Sequence, residues 1–190
     1  MPGPQRYFRL MDDGRIRGRW FLKSPVGPSG EELDPRLFTK GQRYAGGHGL
    51  RLPQRREGRA LDFTLADFDM PVASARAAEL LGRYCGDSVQ LVPVAVEGEA
   101  EPFAIVNVLA TCRCIDEKRS DFDLWTEEDE RPDRLGQYRM FSELKVDAAR
   151  VPEGSHLFRL EGWLIALVVS EQLQAALKAA RLSGLLFEEL

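Results

Sequence analysis

Two histidines, three cysteines and several carboxylate pairs are the residues of this 190-residue chain whose types suit chemistry. Histidine is the usual general base near neutral pH. His48 lies in Gly46-Gly47-His48-Gly49, a flexible loop able to present it to a substrate, although a surface turn with an incidental histidine explains the same residues. His156 opens a strand and reads as a polar strand-end residue. Asp67 and Asp69 flank Phe68 just before Met70-Pro71, and Asp116-Glu117 precede Lys118-Arg119. Each has the form of an acid/base pair, and each reads more simply as a turn with solvent-facing carboxylates. A small hydrolase or transferase using His48 or Asp67/Asp69 stays open as an alternative. Spacing alone assembles no nucleophile, base and orienting group. The chain carries no G-x-S-x-G elbow, phosphate loop, dinucleotide fingerprint or H-E-x-x-H motif.

Cys112-x-Cys114 invites a zinc reading, with Cys85 and His156 completing a four-ligand set. Strand alternation puts Cys112 and Cys114 on one face beside Ala110, so core packing is the simpler account. A disulfide from i to i+2 is badly strained. No metal or cofactor is expected, and an odd number of cysteines suits a reducing compartment, the cytoplasm.

Hydrophobic residues make up 44% of the chain and charged residues 29%, enough for a core without staples. The N-terminus MPGPQRYFRLMDD has no apolar leader region, and the apolar run Trp163–Val169 is too short to span a bilayer. No membrane association is expected. The formal charge of −4 is unevenly spread: residues 1–59 hold thirteen Lys/Arg against six Asp/Glu, and the remainder thirteen against twenty-four. The arginines of the first third are scattered singly, unlike a nucleic-acid patch. The acidic remainder is suited to steering a basic protein partner.

No repeat at a fixed period is visible. Tyr7–Leu10 and Trp20–Leu22 read as strands either side of Asp12-Asp13-Gly14, and residues 23–59 form a loop-rich portion without clear assignment. Leu61, Phe63 and Leu65 alternate with polar neighbours, the period-two signal of a half-buried strand. Ser74 and Ser170 offer N-caps, predicting helices over about 74–85 and 171–182, ended by Gly86 and Gly184. Val89–Val96 and Phe103–Ala110 read as a hairpin, its first strand placed at an edge or bulged by Pro93. Residues 115–137 read as a polar excursion. Tyr138, Met140, Ser142, Leu144 and Val146 then alternate with Arg139, Phe141 and Glu143. His156–Leu160 and Leu164–Val169 follow as strands, and Leu185–Phe187 closes the chain. The reading is α+β, a single domain over 1–190 with a mostly antiparallel sheet and two main helices.

Residues 116–134 combine nine acids with four bases around Phe122, Leu124 and Trp125. Aromatic anchors ringed by charge are what a protein-binding hot spot needs. Asp121, Phe122, Asp123, Trp125, Glu127, Glu128, Asp129 and Glu130 are the candidate partner-binding residues, with inward packing expected for at least one of the two aromatics. A further alternative is a regulatory module that self-associates through Val89–Val96, and monomer or homodimer is left open.

Several stretches in order resemble a bacterial immunity protein family of polymorphic toxin systems, family eleven, formerly a domain of unknown function. They are Arg6-Tyr7-Phe8, Leu61-Asp62-Phe63-Thr64, Val89-Gln90-Leu91-Val92-Pro93-Val94 and Cys114-Ile115-Asp116-Glu117 with Ser120. Leu157-Phe158-Arg159-Leu160, Val168-Val169-Ser170-Glu171 and Ser183-Gly184-Leu185-Leu186-Phe187 complete the set. The resemblance implies an antidote that binds a cognate toxin and neutralises it by occlusion, without catalysis. It carries over no catalytic residues.

Overall fold

Ser74 and Ser170 set the frame of the molecule. Each ends a strand in extended geometry, and its hydroxyl accepts a hydrogen bond from the backbone N–H three residues on, Ala77 and Leu173. A strand therefore turns directly into a helix at both places. Around them the computed structural model describes residues 5–190. The reading of the N-terminus as leaderless falls partly on residues 1–4, which lie outside the described residues.

In chain order the strands are β1 (Tyr7–Asp12), β2 (Phe21–Leu22), β3 (Leu50–Leu52), β4 (Gln54–Arg56), β5 (Phe63–Ala66) and β6 (Met70–Ser74). Helix α1 (Ala75–Cys85) follows, then β7 (Val89–Val96), β8 (Phe103–Val108), β9 (Thr111–Cys112), β10 (Asp121–Leu124) and β11 (Tyr138–Glu143). The chain closes with β12 (Leu157–Leu160), β13 (Trp163–Ser170), α2 (Glu171–Ala179) and β14 (Leu185–Glu189). Two five-stranded sheets have the orders β3-β7-β8-β6-β5 and β14-β1-β13-β12-β9, and two hairpin-sized pairs, β2-β4 and β10-β11, lie outside them. The sheets are antiparallel except where β3 meets β7 and β9 meets β12, which pair in parallel.

The register contains a repeat that the sequence reading does not see. Tyr7 opposes Ser170 as Phe103 opposes Ser74, and Leu185 opposes Asp12 as Val89 opposes Val108. Tyr7 and Phe103, Ser74 and Ser170, and Val89 and Leu185 thus each stand 96 residues apart. The first half runs β1, a long excursion, β5, β6, α1, β7; the second runs β8, a long excursion, β12, β13, α2, β14. The halves exchange their first strands. β8 of the second inserts between β6 and β7, and β1 of the first inserts between β13 and β14.

The helix-bearing faces of the two sheets share one core. Ala77, Ala78 and Leu81 of α1 and Leu173 and Leu177 of α2 meet Phe8, Leu10, Ala73, Val106, Leu167 and Val169 there. The outer face of each sheet is covered by its half's excursion. Trp20, Leu22, Phe38, Leu50 and Leu52 cover Val72, Val94 and Ile105 on one side. Cys112, Cys114, Ile115, Leu144 and Val146 cover Phe158, Ala166 and Val168 on the other. Strands buried on both faces read as continuous apolar runs, as Ala166–Val169 does, while Ile165 nearer the strand's start is exposed.

Asp62 ties the halves together. Its carboxylate accepts from the cap hydroxyl of Ser74 (2.8 Å), from Arg76 (2.7 and 2.9 Å) and from the N–H and hydroxyl of Ser183 (both 2.8 Å) in the turn before β14. Burial pushes this carboxyl up, but the Arg76, Ser183 and Ser74 hydrogen bonds outweigh it and hold the group well below the usual carboxylate range. In the second half His156 stands at the corresponding place, its Nδ1 2.8 Å from the Ser170 hydroxyl. Nearby, Gly184 has φ +88, and a Cβ there would lie 2.0 Å from the carbonyl oxygen of Phe63, so only glycine lets the turn pass against β5.

Several expectations are corrected. Val89–Val96 is an edge strand in part: β3 pairs in parallel with Val94–Val96 and shortens the edge proposed for self-association, while among the described residues Val89–Pro93 pair on one side alone, with β8. Pro93 sits where that pairing stops, so its missing N–H costs no ladder bond to β3. The strands read at Tyr7–Leu10 and Trp20–Leu22 are present as β1 and β2, and they belong to different sheets. Helix α2 ends at Ala179, before Gly184, because Arg181 already takes a left-handed φ of 50. The loop-rich portion 23–59 holds β3, β4 and a short 3-10 turn over Pro35–Phe38.

Gly184→Ala is expected to destabilise the protein by about 2–4 kcal/mol, read by chemical denaturation, because neither the φ nor the space accommodates a methyl group. Asp62→Asn is expected to cost about 2–3 kcal/mol at pH 7. A depressed folded pKa contributes its full stability above the unfolded value of about 3.9, and that contribution declines as pH falls from there through the lower folded value. The gap between wild type and Asp62→Asn should therefore narrow below about pH 4 in urea titrations at stepped pH; a gap that stays constant to pH 2.5 would contradict this role.

Candidate protein-binding site

The excursion of the second half, residues 109–156, builds the most charged surface. β10 and β11 pair antiparallel, with register shifts between Asp121 and Phe122 and between Asp123 and Leu124. These bulges break strict alternation, so Tyr138 and Phe141 both turn inward while Met140 is 52% exposed. That corrects the expected grouping of Met140 with Tyr138. It also shows that residues 115–137 contain a strand and two 3-10 turns rather than bare loop. Phe122 packs edge-on to Tyr138 at 5.1 Å and lies 5.5 Å from Phe141, which reaches Trp163 of β13 at 4.7 Å. This aromatic row pins the hairpin to its sheet, and Phe122 fulfils the expectation that one aromatic packs inward.

Trp125 does something else. Half-buried, it carries three guanidinium groups near its ring: Arg139 at 5.1 Å, Arg134 at 5.5 Å and Arg131 at 6.0 Å. Cations over the indole face are attracted by its quadrupole. Two of these arginines are held in turn by acids: Asp133 pairs with Arg131 at 2.9 Å and Asp129 with Arg139 at 2.6 Å. Asp129 also accepts from the Thr126 N–H (2.8 Å) and hydroxyl (3.0 Å), capping the 3-10 turn Glu127–Asp129. The Thr126 N–H, helped by Arg139 and opposed by partial burial, holds the Asp129 carboxyl below its usual range.

The acidic residues singled out above therefore divide. Asp129 is an internal fastener. Asp121, Asp123, Glu127, Glu128 and Glu130 are exposed and make no ion pair among the described residues. The arginine cage on Trp125 was missed by the sequence reading, which weighed acids around the tryptophan; the spacing Arg131-x-x-Arg134 beside Pro132 was the available signal.

Next to the hairpin lies a concavity of about 600 Å³, lined by Arg113, Asp116, Glu117, Lys118, Tyr138 and Asp147 among others. Tyr138 donates its hydroxyl to Glu117, and burial together with this carboxylate pushes the phenol up to about 12. Arg113 and Lys118 make no ion pair among the described residues, so the groove offers both signs of charge to an incoming surface.

The residues suited to chemistry are not brought together. His48 is exposed on its Gly-rich loop. Asp67 is committed to the Ser24 N–H and hydroxyl (3.0 and 3.2 Å) and to Arg55, and Asp69 shares none of these partners. His156 bonds the helix cap. All three cysteines are buried; burial pushes the Cys85 thiol up to about 12 and raises Cys112 and Cys114 as well. Among the described residues no group of three or more His, Cys, Asp or Glu could hold a metal ion. No helix there is long and apolar enough to cross a membrane.

A family model described as Immunity protein family (Imm11) matches residues 1–190, the whole chain. The chain belongs to that immunity family. No curated protein matches it. The family's name implies a toxin as partner.

Asp129→Ala is expected to loosen the hairpin by removing both the turn cap and the Arg139 anchor, exposing Trp125 and red-shifting tryptophan emission. Glu127→Lys, at an uncommitted carboxylate, should leave the emission unchanged. Equal spectra for the two variants would contradict the division of labour.

Proposed function

We propose that this immunity protein is an antidote that binds its cognate toxin and neutralises it by occlusion, with no chemistry of its own, as a protein of the cytoplasm. The observation that carries the reading is whole-chain membership of the immunity family. It is supported by the way several of the chain's reactive side chains are spent on structure: Asp62 and His156 on helix caps, Asp67 and Asp129 on loop anchors, the thiols on cores.

The contact surface proposed is the β10–β11 hairpin, with Phe122 as its internal anchor and Asp121, Asp123, Trp125, Glu127, Glu128 and Glu130 at its outer side, Asp129 holding the turn in shape. Unpaired carboxylates on a fixed turn steer a basic partner by long-range attraction and raise the association rate more than they lower the dissociation rate. A hairpin pinned by Phe122, Phe141 and Trp163 meets the partner preorganised, which limits the ordering cost of binding.

The test begins with capture of the toxin on tagged protein from native cells, followed by co-expression of that toxin with and without this chain. Growth only in the presence of the chain is expected; a captured toxin whose lethality is undiminished would overturn the antidote reading. The triple variant Glu127→Lys, Glu128→Lys, Glu130→Lys should slow association by roughly tenfold at low ionic strength, with the difference fading at high salt. An association rate unchanged at low salt would remove the hairpin from the account and leave the antidote reading in place.

A further inference from the structure

The repeat provides an internal comparison between the two strand-to-strand tips, β5–β6 and β12–β13. Leu65 pairs with Pro71 as Arg159 pairs with Leu167. Each tip carries one aromatic ring with a guanidinium beside it: Phe68 with Arg36 at 5.1 Å, Trp163 with Arg9 at 5.0 Å. In the second half the ring is then covered. Phe141 of the β10–β11 hairpin lies 4.7 Å from Trp163, leaving the tryptophan 9% exposed. In the first half the excursion stops short, and Phe68 is 62% exposed, the most open of the large apolar side chains described.

The backbone under Phe68 makes the exposure harder to dismiss. Phe68 (φ 56, ψ 38) and Asp69 (φ 55) are consecutive left-handed residues, a conformation suited to glycine and costly for a phenylalanine. The ring recovers little of that cost through packing, since most of it faces solvent. The tip is nevertheless held firmly: Asp67 accepts from the Ser24 N–H and hydroxyl and from Arg55. Phe68 forms a ridge between two concavities, of about 280 Å³ beside Phe21, Arg55 and Leu65 and about 260 Å³ beside Ser24, Leu33 and Arg36. Phe21, 42% exposed, extends the apolar surface, and its cross-strand neighbour Arg56 makes no ion pair among the described residues. Backbone strain at an exposed, well-anchored side chain points to a binding role.

We propose that the Phe68 tip is a second docking point for the toxin, taking an apolar side chain carried on an extended strand or hairpin of that partner. The incoming group would stand where Phe141 stands over Trp163 in the other half, with Arg56 placed to meet a carboxylate or carbonyl oxygen beside it, while Arg36 stays paired with Asp34 at 2.9 Å. This rests on the antidote reading. The contact is apolar at its centre and arginine-flanked, so it differs in chemistry from the acidic hairpin and its contribution resists salt.

Phe68→Gly separates binding from structure, because glycine relieves the left-handed backbone while deleting the ring. The toxin recovered with tagged wild-type protein is the probe, titrated against wild type and variant by calorimetry at high salt, with thermal unfolding of both recorded. Expected are an unfolding midpoint equal to or above wild type and an affinity weakened at least tenfold. Affinity within twofold of wild type would overturn the proposal while leaving the antidote reading standing. A markedly lowered midpoint would make Phe68 a structural residue and equally overturn it. Phe68→Leu, which keeps an apolar group, should restore most of the binding; full loss in Phe68→Leu would contradict an apolar pocket filled by shape. Wild-type protein that sediments as a dimer, dissociated by Phe68→Gly, would place a second copy of the chain on the tip instead. If no toxin binds the wild type at all, both readings fall together.

Discussion

Among the described residues, strand β14 pairs only with β1, from the far end of the chain, and β6 is joined to β7 only through β8. That reciprocal exchange is the constraint on which the rest of the structure depends. Neither half can satisfy the backbone groups of its own sheet, so the central core forms only when both halves are present. The Ser74 and Ser170 caps then launch α1 and α2 from equivalent strand ends, which brings both helices to the shared core. Asp62, reaching from the start of β5 to Ser183 before β14, adds a polar link across the same junction.

With its inner faces consumed by this core, the molecule has two outer faces left for function, and its two excursions dress them differently. Residues 13–62 bring eleven bases and six acids; residues 109–156 bring twelve acids and eight bases. The second excursion sends a hairpin back over its own tip and displays carboxylates. The first covers its sheet with short strands and a 3-10 turn and leaves its tip bare. One scaffold used twice thus yields two surfaces of opposite character, and the difference between them, rather than any reactive constellation, is what a partner can read.

Local chemistry was legible in the sequence and long-range pairing was not. Ser74, Ser170 and Gly86 signalled caps correctly because capping depends on residues within one turn. The repeat escaped because it survives in burial and register, not identity: Ala77 corresponds to Leu173 and Ala78 to Gln174, with Ser74 and Ser170 among the few exact matches. Strand β3 is three residues long in an Arg- and Pro-rich stretch, below the length at which alternation registers, so its pairing with the end of β7 was hidden, and Pro93 alone marked β7 as edge or bulged. The bulges of β10–β11 shifted the phase of a pattern that alternation assumes constant, hiding Phe141. At the candidate site, charge and aromatic content marked the right segment. Which acids are free and which are spent depended on arginines ten residues away, as with Asp129 and Arg139.

Hydrogen exchange on the chain alone and in complex with its captured toxin tests most directly whether a fixed, interlocked core offers its outer surfaces to a protein partner. The account predicts that the paired amides of β1, β8 and β13 are the slowest to exchange in both states. It predicts new protection on binding in the β10–β11 hairpin and at the β5–β6 tip. Protection confined to the helices and central strands, with the hairpin and tip exchanging as in the free protein, would contradict it.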